Sequence, residues 1–192
     1  MFNVKNTNSD SKMNPPEKRT ILNLSSKTNF KLEIPDNDIT KGLQLVVQGV
    51  TIPSVTMMAS DVPLNPTLRS KIPGSAVEFE PLIVKFIVDE EFDSVCGIYN
   101  WMLNIIDYVD SDSKAWLESR QNIALHIMDN SQNKTILTYR FYGAWPQFMG
   151  DLDVEYTSDV EESIVGIVTF NYYYYEIEKD GVVIRPKFKK PR

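Results

Sequence analysis

Apolar and polar positions first fall into step at Phe30, Leu32 and Ile34, which alternate with Asn29, Lys31 and Glu33. That period of two predicts a half-buried strand opening the folded part of the chain. Pro35-Asp36-Asn37-Asp38 supplies a turn. LQLVVQGV at 43–50 and VTMMASDV at 55–62 predict two more strands, parted by Ile52-Pro53-Ser54. Residues 63–75, with Pro63, Pro66, Pro73 and Gly74, lack a hydrophobic pattern and read as a long loop. A loop of that length usually carries function or is disordered. Alternation returns at Ala76, and after Pro81 the run Leu82 to Val88 is apolar on both faces apart from Lys85. Such a strand needs cover on both sides.

Asp89 then sits where a helix cap belongs, and Glu90, Glu91 and Asp93 put negative charge in the first turn, where the helix dipole favours it. Two apolar stripes follow at helical spacing. Phe92, Val95, Cys96, Tyr99, Met102, Leu103 and Ile106 form the wider one, which suffices to cover the domain's own sheet. Ile98, Trp101 and Ile105 form a second, which predicts contact with another surface. Substituting Trp101 with Asp is therefore expected to spare the monomer and abolish assembly.

Residues 107–120 read as a polar linker or short helix. NIALHIM at 122–128 and KTILTYRFY at 134–142 flank Asp129-Asn130-Ser131-Gln132-Asn133, a hairpin by composition. Gly143-Ala144-Trp145-Pro146 predicts a turn, and Leu152, Val154 and Tyr156 alternate with Asp151, Asp153 and Glu155. The last run, SIVGIVTFNYYYYEIE at 163–178, is a strand candidate of about 50 Å at about 3.3 Å per residue, long enough to reach a neighbour. Within it, alternation sends Tyr172 and Tyr174 to one face and Tyr173 and Tyr175 to the other. That divides the tyrosines between a core and a contact surface rather than building one stacking platform.

Length changes this picture little: 192 residues suit one domain with a sizeable core. Residues 1–26 are polar and read as a flexible arm, 27–184 as the domain, and 185–192 (RPKFKKPR) as a basic tail. The tail holds five basic groups, leaving 15 basic against 26 acidic groups elsewhere. An acidic body argues against a surface that grips nucleic acid. No segment reaches the roughly 18 apolar residues of a membrane-spanning helix. The N-terminus lacks the apolar core of a signal peptide, and no membrane partner is expected. A single cysteine, Cys96, excludes an internal disulfide and fits a reducing compartment; it reads as a small buried hydrophobe.

Catalytic chemistry is thin. His126, the only histidine, lies in a predicted strand without a glycine-rich nucleophile turn beside it. One Cys and one His are too few for a histidine-based zinc site. Asp110-Ser111-Asp112 resembles the start of a calcium loop, but the loop's glycine is missing and its terminal glutamate position falls on Gln121. The acids at 151, 153 and 155 read as a solvated strand face. No catalytic, cofactor or metal site is expected.

TNFKLEIP, VTIPSV, EFEPLIVKFIVDEEF running into IYNWML, then MDNSQNK, FYGAWP, VEYT and YYYYEIEKDG together resemble the tail completion proteins (tail-tube terminators, sheath stabilisers) of contractile-tailed bacteriophages, and more broadly the tail-tube fold. The resemblance spans about residues 27–181. It implies a mainly β, α+β subunit: a β-sandwich or half-barrel with one helix at its side and long strands extending to neighbouring subunits. It implies a hexameric ring capping the tube at its head-proximal end, with tail-tube, sheath or sheath-terminator and neck or head-completion proteins as partners. DNA would pass through the lumen without specific binding, past an acidic lining. On this reading Ile98, Trp101, Ile105, Tyr172 and Tyr174 meet a neighbouring subunit, and Arg69 and Lys71 touch an adjoining ring. The competing expectations are a tube subunit or baseplate-proximal initiator of the same fold, a carbohydrate-binding or hydrolytic β-sandwich, and a nucleic-acid module using the basic tail.

Overall fold

The computed structural model describes residues 25–41, 43–108, 110, 119–155 and 163–185. The arm before residue 25, the tail after 185 and most of the segment at 107–120 lie outside the described residues. The elements run β1 Phe30–Glu33, β2 Val46–Thr51, β3 Val55–Asn65, β4 Leu68–Phe79, β5 Leu82–Ile87, α1 Asp93–Ile105, β6 Gln121–Met128, β7 Thr135–Met149, β8 Val165–Asn171, β9 Tyr174–Lys179 and β10 Val182–Val183. Among the described residues the result is the mainly β fold with one helix that the sequence predicts.

Strand β7 organises the sheet. Its first part pairs with β6 on one side and β9 on the other. From Trp145 onward it pairs with β8 instead. The expected turn at 143–146 is thus no turn. Gly143 at φ 66° and a register shift between Pro146 and Phe148 bend the strand without ending it. A bulge also accommodates a proline inside a strand. The chain of pairings is β1-β6-β7-β8-β5-β2, all antiparallel.

The long run at 163–178 is likewise two strands. It breaks at Tyr172 and Tyr173 as the chain passes from pairing with β5 to pairing with the first part of β7. No 50 Å strand forms, so each half completes this chain's own sheet.

The core lies between the two limbs of the bent sheet. Leu82, Val84, Phe86, Val168 and Phe170 come from β5 and β8, and Ile123, Leu125, Phe141 and Ala144 from β6 and β7. Ile98 and Trp101 of α1 complete the same cluster. Burial of β5 alternates strictly at Leu82, Val84 and Phe86, so one of its apolar faces is covered. The other, with Ile83 and Lys85, stays open.

Candidate assembly surfaces

The start of α1 is fixed as the sequence suggests, from one turn further away. Asp89 accepts the backbone N–H of Asp93 at 2.8 Å and of Ser94 at 3.0 Å, and the Ser94 hydroxyl donates to it as well. The Ser94 hydroxyl, then its backbone N–H, hold the Asp89 carboxyl well below its ordinary range, at about 2. Phe92 occupies the cap position itself in the left-handed region, φ 58°.

The helix is rotated from the sequence expectation, so that the narrower stripe is its most buried side while Val95 and Met102 of the wider one flank the core. Ser94, Ile98 and Trp101 are buried, while Phe92, Cys96, Tyr99 and Ile106 are exposed. The Trp101 indole N–H donates to the Ser119 carbonyl at 2.8 Å and its ring lies 5.6 Å from that of Phe170. Ile105 packs against the core cluster. Assigning Ile98 and Trp101 to a neighbouring subunit is therefore corrected: both are core, and half-buried Ile105 also serves this chain. The side of α1 at Gly97 lies against the loop before β2, where an added Cβ would stand 2.8 Å from Leu43 Cδ1. The narrower stripe won because it carries the bulkiest side chain, whose N–H finds an acceptor.

The tyrosines divide differently from simple alternation. Tyr172 is half-buried; its hydroxyl donates to the Glu80 carbonyl at 2.6 Å and its ring lies 4.9 Å from that of Phe141. Desolvation, then Tyr175 and Glu80, push its pKa up. Tyr175 packs on the same aromatic cluster. Tyr173 and Tyr174 are exposed, Tyr174 stacked on Tyr142 at 4.9 Å. The break at 172–173 resets the alternation, so Tyr172 is anchored to its own chain and Tyr174 alone of the expected pair is open.

Residues 63–75 form no loop. They are the outer part of a hairpin in which β3 and β4 pair only with each other. Arg69 stands opposite Pro63 and Lys71 opposite Asp61. Both cations are exposed. At about 3.3 Å per residue the 11-residue β3 and 12-residue β4 reach about 35 Å from their root. The proline signal misled because alternate residues of a two-stranded arm stay wet on both faces.

Two further features had no clear sequence signal. Among the described residues, the limb β2-β5-β8-β7 is open at both edges: β2 pairs only with β5, and 145–149 of β7 pair only with β8. Beside that second edge lies an apolar groove of about 480 Å³, walled by Tyr99, Ile106 and Tyr108 on the helix side and Phe148 and Met149 on the strand side. Among the described residues, none that lines it is charged.

His126 is tied across strands, Nδ1 to Thr138 Oγ1 at 3.0 Å and Nε2 to Glu33 at 3.1 Å. Asp151, Asp153 and Glu155 lie outside any strand, and no three metal-ligating side chains cluster among the described residues. Cys96 is exposed rather than buried, since it rides the outward side of α1.

A half-barrel limb with two open edges, a long unsupported arm and an uncharged groove defines a subunit built to join other subunits. The chain belongs to the family described as T4-like virus tail tube protein gp19, whose model matches residues 26–164. It is 35% identical over 166 residues to the tail tube terminator protein of Enterobacteria phage T4, covering 85% of this chain and 94% of that one. Its fold is similar to the tube terminating cap of the anti-feeding prophage, with a TM-score of 0.60 at 12% identity over 83% of this chain and 94% of that one. It is equally similar to the sheath/tube terminator of an extracellular contractile injection system, with a TM-score of 0.60 at 10% identity over 83% and 99%. The family is one of structural tail proteins, which makes this chain a component of the virion tail.

Proposed function

We propose that this chain is a non-enzymatic tail tube terminator. It forms a ring, of six copies, on the last ring of the tube at the head-proximal end. There it stops growth, stabilises tube and sheath, and offers a landing place for neck or head-completion proteins. Assembly takes place in the host cytoplasm. The observation that carries the reading is the 35% identity to a tail tube terminator across nearly all of that protein's length.

The strand order supports ring closure. Successive pairs β2/β5, β5/β8 and β8/β7 are all antiparallel, so β2 and the outer part of β7 run in opposite directions. A copy rotated about a ring axis presents its β2 edge antiparallel to this copy's 145–149 edge, and the sheet continues unbroken around the ring. Such a head-to-tail contact closes when the rotation does. Among the described residues the outer edge of β1 is also open, but β1 is only four residues long.

In that ring the wet side of the four-stranded limb faces the lumen. The expected acidic lining is absent from it: β2, β5, β8 and residues 145–149 contain no Asp or Glu, and Lys85 is their only charge. DNA would pass a mostly aliphatic wall. Arg69 and Lys71, on the far part of the arm, are the groups proposed to meet the adjoining ring. Tyr174 is the remaining tyrosine proposed for subunit contact.

Growing tail tubes from their own subunit with and without this protein tests the reading by electron microscopy. A terminator gives short tubes with one added ring at one end. Filaments built of this protein itself would instead identify a tube subunit. Seeding of new tubes without any limit on their length would identify an initiator.

A further inference from the structure

The chain of pairings ends at β1 on one side and β2 on the other, and among the described residues these two strands do not pair with each other. A groove of about 490 Å³ opens between them, walled by Phe30 of β1, Val50 of β2, and Ile127, Leu137 and Tyr139 of β6 and β7. Leu125, a fully buried member of the core, lines it as well. The groove therefore reaches the core of the subunit. A folded interior leaves few voids larger than a water molecule, so an apolar opening of this size calls for a cover.

We infer that the cover is this chain's own segment Ile21-Leu22-Asn23-Leu24. Three observations select that occupant. Ser25, Ser26 and Lys27 line the same groove, so the chain before Ser25 starts from its wall. Hydrogen bonds pin that starting point: the Ser26 N–H donates to Asn130 Oδ1 at 3.3 Å, and the Asn29 side-chain amide donates to the Asp129 carbonyl at 3.2 Å. Four extended residues then reach about 13 Å at about 3.3 Å per residue, enough to cross a groove of that volume. Finally, Ile21, Leu22 and Leu24 are the densest aliphatic run before Ser25, and they match the apolar walls. Glu17-Lys18-Arg19 just upstream is charged and suits water, which sets the outer limit of the docked segment. Tethering at the wall gives the run an effective concentration of about millimolar, an advantage that a free partner lacks. The inference does not rest on the ring reading: it makes residues 21–24 part of the folded subunit.

Disulfide trapping tests it in the full chain, with Cys96→Ser as background. Leu22→Cys with Ile52→Cys, an exposed position lining the groove, should close a disulfide within one molecule. Leu22→Cys with Ile136→Cys, exposed but outside the groove, should not. Alongside, Leu22→Asp with Leu24→Asp should lower the urea midpoint of the isolated chain, whereas Phe2→Asp with Val4→Asp should leave it unchanged. Should the first aspartate pair prevent folding, the trapping result decides. A disulfide to Ile52→Cys found only between copies overturns the docking and gives the groove to a neighbour's segment. Failure to trap at Ile52→Cys, with an unchanged midpoint in the Leu22→Asp, Leu24→Asp variant, overturns it outright. Either result leaves the ring reading intact, because capping of tubes is measured separately.

Discussion

The indole N–H of Trp101 is hydrogen-bonded to the backbone carbonyl of Ser119 at 2.8 Å, with both residues buried. That bond places the helix against this chain's own sheet. Trp101→Asp should therefore unfold or severely destabilise the monomer, where the sequence alone implied a folded monomer that fails to assemble. Trp101→Ala should cost about 3–5 kcal/mol, as for other buried aromatic truncations. Trp101→Phe, which keeps most of the packing and loses the donor, should cost about 1–3 kcal/mol. Urea denaturation of the three variants checks the order. A fully stable aspartate variant would contradict the observed packing.

The carboxylate of Asp89 supplies a pH dependence with a definite sign. Ser94 lowers its folded pKa to about 2, against about 3.9 for an unperturbed aspartate. Its stabilisation is complete above about pH 4 and is lost as pH falls towards about 2. Ser94→Ala removes the largest contributor, so the Asp89 pKa should rise towards the unperturbed value. Carbon-detected NMR titration of the side chain measures this. Thermal unfolding should become less acid-sensitive in Asp89→Ala than in the natural chain.

Much of the fold was legible because its strands bury one face. Phe30 and Leu32, or Leu82, Val84 and Phe86, alternate in sequence as they do against the core. The helix was legible in its limits but not in its rotation. Two apolar stripes on one helix compete for the core, and the decision fell to the Trp101 hydrogen bond and the tight side at Gly97. Where a strand leaves one partner for another, as at Pro146 or Tyr172, the pattern carries no sign of the exchange. The prolines of the 63–75 segment hid a hairpin because most of its side chains remain exposed. Open edges and the groove depend on which strands are absent alongside, which no local pattern records.

Gly143 tests the bend of β7. Its φ of 66° lies in the left-handed region, and an added Cβ would stand 2.5 Å from the ring of Tyr173. Gly143→Ala should cost at least the about 1–2 kcal/mol of left-handed strain, plus displacement of the tyrosine ring. Gly143→Ala combined with Tyr173→Ala should recover the steric part only. A double-mutant cycle by chemical denaturation separates the two. An additive cycle would mean that the ring moves aside without cost.

The charged face of the arm gives the last prediction. Arg69 and Lys71 lie side by side in register with Pro63 and Asp61, and all are exposed. If they meet an adjoining ring, reversing both, Arg69→Glu with Lys71→Glu, should act on attachment and spare ring formation. Exposed charges at the rim of a contact chiefly set the association rate and its salt dependence. Capture of the double variant by preformed tubes should be several-fold slower than that of the natural chain at about 0.1 M salt. The difference should shrink towards about 1 M salt, where the screening length falls to about 3 Å. Light scattering of the isolated variant should give an unchanged ring mass. A loss of ring mass would instead put the two cations between copies of one ring, and equal capture rates at low salt would remove them from the contact with the tube.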